Sequence, residues 1–173
     1  MQAAETPPPS LAVIGSARRD GNTAALVHRL VEGLRCDIID LQDTPMLPFS
    51  YGQRQPEDPF FSIVERMTRA PVTIFATPVY WFSYSAVMKA FIDRFSDLAD
   101  PNQDLGQRLR GRRFVLLASG ADPTLEPALN LAFTEFCHCL GAHCLAQLYA
   151  RETGPFIDEA SVALVRHHLG EGS

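Results

Sequence analysis

Three observations in the sequence predict an α/β fold. Short, continuous apolar runs alternate along the chain with segments whose apolar residues recur at helical spacing. Runs such as residues 11–14 (LAVI) and 114–118 (FVLLA) have no polar alternation, which suits strands covered on both faces. The strict succession of the two kinds of segment favours a mostly parallel sheet joined by right-handed crossovers.

Taken in order, strands are expected at residues 11–14, 36–41, 72–76, 114–118 and 144–149. Leu26, Val27, Leu30, Val31 and Leu34 share one face of a first helix that begins at Ala24, and a second helix covers residues 59–69. Val87, Met88, Phe91, Ile92 and Phe95 stripe a third, and Leu125, Leu129, Ala132, Phe136 and Leu140 a fourth. The last helix runs from about residue 158 to 168, where Asp158 or Ser161 supplies the cap. Residues 1–10, with Pro7, Pro8 and Pro9, and residues 170–173 are expected to be loose ends of a single domain spanning 11–169. The long irregular stretch 42–58, rich in Pro, Gln and Asp, is either mobile or a wall of a site.

Composition narrows the function. With 173 residues, 46% hydrophobic and 20% charged, the chain can bury one substantial core. The net charge of −5 and dispersed basic residues argue against nucleic acid as a partner. No apolar run approaches the roughly 20 residues of a membrane helix, and the first ten residues carry neither a basic start nor an apolar stretch, so a cytoplasmic protein is expected. Cys36, Cys137, Cys139 and Cys144 do not have the spacing of a disulfide framework and are read as reduced thiols.

Ligands of open α/β sheets sit beyond the carboxyl ends of the strands, so the loops there carry the functional signal. Strand one runs into Gly15-Ser16-Ala17-Arg18-Arg19-Asp20-Gly21-Asn22-Thr23 and then a helix. Unpaired helix N–H groups, the hydroxyls and amide of Ser16, Thr23 and Asn22, and the charge of Arg18 together suit a phosphate. Five residues separate the glycines and no lysine follows, which disfavours a nucleoside-triphosphatase loop, and the absence of GxGxxG disfavours a dinucleotide site. A terminal phosphate monoester fits better. The turn also fits a plainer account, in which Gly15 and Gly21 shape it and Asn22 or Thr23 caps the helix.

After strand three come Pro78, Val79, Tyr80, Trp81, Phe82, Ser83 and Tyr84, a loop crowded with aromatics. Something flat and apolar packs there: an aromatic ring system, a hydrophobic plug, or a subunit interface.

With both loops in place, the chain resembles the NAD(P)H-dependent FMN reductase family of flavodoxin-like proteins. GSARRDGNTAAL is similar to that family's phosphate loop, and TPVYWFSYSAVMKAFIDRF to its flavin-edge loop and following helix. The resemblance implies a flavodoxin-like three-layer sandwich with a five-stranded parallel sheet in the order 2-1-3-4-5. It implies non-covalent FMN and hydride transfer from NADPH or NADH through the flavin to a small-molecule electron acceptor, such as a quinone, an azo compound or free flavin. Ser16, Arg18, Asn22 and Thr23 would surround the phosphate, and Pro78, Val79, Tyr80, Trp81 and Phe82 would line the ring. Ser119, Gly120, Ala121 and Asp122, the turn after strand four, would close the other side. No catalytic side chain is implied, because the cofactor carries the chemistry. The family is usually dimeric or tetrameric. Ala17 stands where the closest branch often has Pro, and the single Cys36 between Thr23 and Trp81 leaves no cluster for iron and sulfur.

The alternative is a flavodoxin-type FMN electron carrier without NAD(P)H activity, against which the mild acidity and the pair Arg18 and Arg19 speak. A response-regulator-like signalling domain fails, since strand one ends in Gly15 and strand three in Thr77 rather than in carboxylates. Lys89 and Asp93 read as an exposed ion pair, and Arg19 is a candidate for the 2′-phosphate of NADPH or a solvated charge. Cys137-His138-Cys139 with His143 and Cys144 invites a metal reading, but Cys137 and Cys139 are about 200° apart on a helix and do not converge.

Overall fold

The computed structural model describes residues 8–51, 58–99 and 104–170. The loose ends expected at the termini fall largely on residues 1–7 and 171–173, and part of the 42–58 stretch on residues 52–57, all outside the described residues.

The strands are β1 (Ser10–Ile14), β2 (Cys36–Asp40), β3 (Val72–Tyr80), β4 (Ser83–Tyr84), β5 (Arg113–Gly120) and β6 (His143–Arg151). The helices are α1 (Asn22–Val31), α2 (Pro59–Met67), α3 (Ala86–Asp93), α4 (Asp104–Gln107), α5 (Pro127–Leu140) and α6 (Glu159–Gly170), with a 3-10 turn at Arg94–Ala99. Five strands pair in parallel in the order β2-β1-β3-β5-β6, which is the expected 2-1-3-4-5 arrangement. The fold is flavodoxin-like α/β.

The structure differs from the sequence reading at both ends of the chain, in α5 and after β3. β1 begins at Ser10 and α6 ends at Gly170, both inside stretches expected to be loose. α5 buries Leu129, Phe133 and Cys137 at a spacing of four, while Ala132 faces solvent and Leu125 precedes the helix. The segment after β3 is a hairpin, because β3 continues to Tyr80 and β4 folds back so that Val79 pairs with Tyr84 and Tyr80 with Ser83.

Two apolar layers clamp the sheet. On one face Phe60 of α2, Phe91 of α3 and Phe133 of α5 pack on Phe75 and Phe114. Phe75 meets Phe114 and Phe133 edge to face, with ring centroids 5.1 and 5.6 Å apart. On the other, Leu26, Val27 and Leu30 of α1 and Val165 and Leu169 of α6 cover Ala12, Ile74 and Val115. Strands buried on both faces bring the ends of β1, β3 and β5 to one edge, where the loops must do the polar work.

Candidate functional site

Gly15 opens the turn between β1 and α1 for a packing reason. A Cβ on it would lie 2.6 Å from the Met88 Cβ and 2.9 Å from the Met88 nitrogen, so the first turn of α3 sits directly on its backbone. Ser85 locks this approach: its hydroxyl donates to the Gly15 carbonyl at 2.5 Å and accepts from the Met88 N–H at 3.0 Å as the cap of α3. Ser16 then accepts from the Arg18 N–H at 3.2 Å, and the Gln42 amide donates to the Ser16 carbonyl at 3.1 Å.

The N-terminus of α1 bears on the plainer reading of this turn. Its cap residue is Gly21, no side chain caps it, and no acidic residue stands in its first turn. Asn22 and Thr23 therefore do not act as the cap. The Thr23 hydroxyl is buried and bonds the Ser119 hydroxyl at 2.8 Å, tying the start of α1 to the end of β5. The first-turn N–H groups remain available to an anion.

These elements enclose a cleft of about 440 Å³. Ser16, Arg18, Gly21, Asn22 and Thr23 line one end. Pro78, Val79 and Tyr80 line a second side, and Ser119, Gly120, Ala121 and Glu152 a third. A Cβ on Gly120 would sit 2.6 Å from the Tyr149 hydroxyl oxygen, so glycine there lets β6 close behind the cleft. That hydroxyl donates to the Asp122 carbonyl at 2.8 Å and holds the turn. Burial, with the Asp122 carboxylate nearby, keeps the Tyr149 phenol above its ordinary value and so protonated.

Of the residues that the resemblance places around the cofactor, the cleft gathers all but Trp81, Phe82 and Asp122. Trp81 and Phe82 form the two-residue turn of the β3–β4 hairpin, both with positive φ (48° and 62°), and are 94% and 61% exposed. Large side chains with positive φ cost of the order of 1–3 kcal/mol each. Glu152 was not singled out. Glu152 is the one carboxylate among the lining residues, has φ of 53°, and donates its N–H to the Gly120 carbonyl at 2.9 Å. Arg29 fixes the loop beyond it through bonds to the Thr153 and Gly154 carbonyls at 3.1 and 2.7 Å.

Arg19 pairs with Asp43 outside the cleft, and Lys89 with Asp93 at 2.5 Å in solvent. A larger cavity of about 560 Å³ between the 3-10 turn and α5 is lined largely by apolar groups such as Phe95, Leu98, Phe136 and Leu140, with Asp93, Ser96, Gln107 and Arg110 among its polar side chains. Among the described residues no three His, Cys, Asp or Glu side chains converge as metal ligands, and no helix is long and apolar enough to cross a membrane.

A family model described as NADPH-dependent FMN reductase matches residues 9–152. The chain belongs to this family. The match runs from β1 to Glu152 and so takes in every residue of the cleft. A protein of Bacillus subtilis (strain 168) that carries the name NAD(P)H-dependent FMN-containing oxidoreductase YwqN is 38% identical over 142 residues, 76% of this chain and 78% of that one. Among solved structures, the Trp repressor binding protein from Bacillus subtilis is 30% identical with a TM-score of 0.67, covering 95% of this chain and 98% of that one. FerB, described as a flavoenzyme NAD(P)H:(acceptor) oxidoreductase from Paracoccus denitrificans, shares the fold at 16% identity and a TM-score of 0.61, covering 95% and 94%. This member of the NADPH-dependent FMN reductase family is an FMN-dependent NAD(P)H oxidoreductase. Its cleft fits the cofactor on its own terms, with an uncapped helix end, hydroxyls and an arginine at one extremity and apolar β3 groups beside them.

Proposed function

We propose that FMN lies across this cleft with its phosphate at the N-terminus of α1 and its ring along Pro78, Val79 and Tyr80, and that the acceptor is a diffusible quinone, azo compound or free flavin. The uncapped end of α1 carries the reading: four neighbouring donors, from Ser16, Arg18, Asn22 and Thr23, surround helix-end amides that no side chain among the described residues caps. When bound, FMN supplies the redox chemistry, taking a hydride from NAD(P)H and passing electrons to the acceptor.

The chain's part is to bind and orient. Arg18 and the helix dipole neutralise the phosphate. Ser119, held by Thr23, and Gly120, backed by Tyr149, set the wall opposite β3. Trp81 and Phe82 present an apolar, strained tip to solvent, which supports a homodimer or homotetramer in which a second subunit covers that tip. The four free cysteines support a reducing, cytoplasmic setting.

The test is direct. Protein loaded with FMN and held without oxygen is expected to bleach on addition of NADPH or NADH and to regain its colour on addition of a benzoquinone. Bleaching by dithionite alone would instead support an electron carrier.

A further inference from the structure

Arg18 and Glu152 both line the cleft, yet among the described residues they make no ion pair with each other. Opposite charges that share about 440 Å³ without neutralising one another give the cleft two chemically different parts. The Arg18 part, with the uncapped amides of α1, suits an anion. The Glu152 part suits the reverse, because an ionised carboxylate only accepts hydrogen bonds and so calls for a donor.

The fold holds Glu152 at this place through its backbone. The residue stands at φ 53°, in the left-handed region that favours glycine, and its N–H donates to the Gly120 carbonyl at 2.9 Å. Just beyond it, the Gly154 N–H turns back to the Arg151 carbonyl at 2.8 Å, and the Ile157 N–H reaches the Tyr149 carbonyl at 2.9 Å. Arg29 bonds the Thr153 and Gly154 carbonyls and lies 4.6 Å from the centre of the Phe156 ring. These ties leave the loop no room to relax, so a glutamate persists where glycine would rest more easily.

The wall that carries Glu152 has few other acceptors to offer. The Gly120 carbonyl takes the Glu152 N–H, the Asp122 carbonyl takes the Tyr149 hydroxyl at 2.8 Å, and the Ser119 hydroxyl is tied to Thr23 at 2.8 Å. The remaining polar side chains of the cleft, those of Ser16, Arg18, Asn22, Thr23 and Tyr80, all carry donors. A ligand made only of acceptors would be served without Glu152. One that also presents O–H or N–H groups would not, and FMN presents both, in its ribityl hydroxyls and the imide of its ring.

We propose that Glu152 is a cofactor-binding residue whose carboxylate accepts a hydrogen bond from an O–H or N–H group of FMN, and so orients the part of the cofactor beyond its phosphate. This rests on FMN lying across the cleft with its phosphate at α1. The donor is either a ribityl hydroxyl or the ring imide.

Glu152→Gly is the most telling variant, because glycine is at ease at φ 53°. Without FMN it is expected to show a urea midpoint at least as high as that of the unaltered protein. FMN should nevertheless bind about ten-fold more weakly by fluorescence quenching, the loss of one bond to a charged acceptor. Glu152→Gln keeps a neutral acceptor and should lose only about three-fold. Riboflavin has the same ring and hydroxyls without the phosphate, so Glu152→Gly should weaken it by the same factor of about ten. Replacing Ser16 and Arg18 by alanine should weaken FMN far more than riboflavin. With 3-methyl-FMN, the effect of Glu152→Gly disappears if the imide is the donor and persists if a hydroxyl is; either result agrees with the proposal. Unchanged affinity for FMN and riboflavin in Glu152→Gly would overturn it, even with the phosphate end behaving as expected. A fall in the urea midpoint of Glu152→Gly with full FMN affinity in Glu152→Gln would also overturn it, since the side chain would then serve the loop alone. Equal weakening of FMN and riboflavin by the Ser16 and Arg18 replacements would instead overturn the placement of FMN, and the proposal with it.

Discussion

Helices α1 and α6 pack against each other on the same face of the sheet, yet their N-termini are finished in opposite ways. At α6 the Asp158 carboxylate accepts the N–H groups of Ala160 and Ser161, each at 3.1 Å, and the Ser161 hydroxyl at 2.6 Å. At α1 a glycine occupies the cap position, nothing acidic follows, and donors ring the opening instead. One terminus is completed by the chain. The other is left open by the described residues, which supports reading it as a binding site where a capped end reads as architecture.

The comparison breaks if α1 proves as self-sufficient as α6. The largest effect is expected from replacing Ser16 and Arg18 together by alanine: at about 1.5 kcal/mol for each bond to a charged phosphate, FMN affinity should fall by about 100-fold. Fluorescence quenching of FMN on titration with apoprotein measures it. Retention of FMN at the original affinity would show that the turn serves α1 alone.

A smaller effect, of opposite sign on stability and binding, sharpens the contrast. Gly21→Asp gives α1 the kind of cap that α6 has. The FMN-free protein should gain a few tenths of a kcal/mol, while the new carboxylate competes for the phosphate's place and weakens FMN by about ten-fold. Gly21→Ala is the control, since it brings the same Cβ within 3.2 Å of the Arg18 Cβ without the charge. Urea denaturation and FMN titration on the two variants separate crowding from competition.

How much of this was legible in advance follows from how local each signal is. The turn before α1 was readable because its donors are consecutive in the chain, and the parallel order followed from apolar runs that both faces of the sheet bury. The β3–β4 hairpin was not, because Trp81-Phe82 lacks the Asn-Gly or Gly that normally marks a two-residue turn. Glu152 reaches the cleft through a left-handed backbone and a bond to Gly120, neither of which leaves a trace in composition. Cys144 joins the layer that holds Cys137 only through the bulge at Leu145, since alternation alone puts it on the opposite face. Consecutive residues announce themselves; those brought together by an irregular backbone do not.

The smallest effect belongs to α6, and its pH dependence is the informative part. Asp158 is held below the ordinary carboxylate value by the Ser161 hydroxyl first, and then by the N–H groups of Ser161 and Ala160. A carboxyl whose value is depressed in the folded state adds stability above its unfolded value, and that stability disappears as the pH falls through the folded one. Asp158→Ala should therefore lower the urea midpoint at pH 7. The gap to the unaltered protein should begin to close below about pH 4, near the unfolded carboxylate value, and vanish once Asp158 is protonated in the folded state. FMN affinity should change by less than about two-fold, as expected for independent sites. An equal loss of FMN in this variant would mean that α6 also builds the cleft, because the 151–154 loop that Arg29 braces and that carries Glu152 leads into this helix.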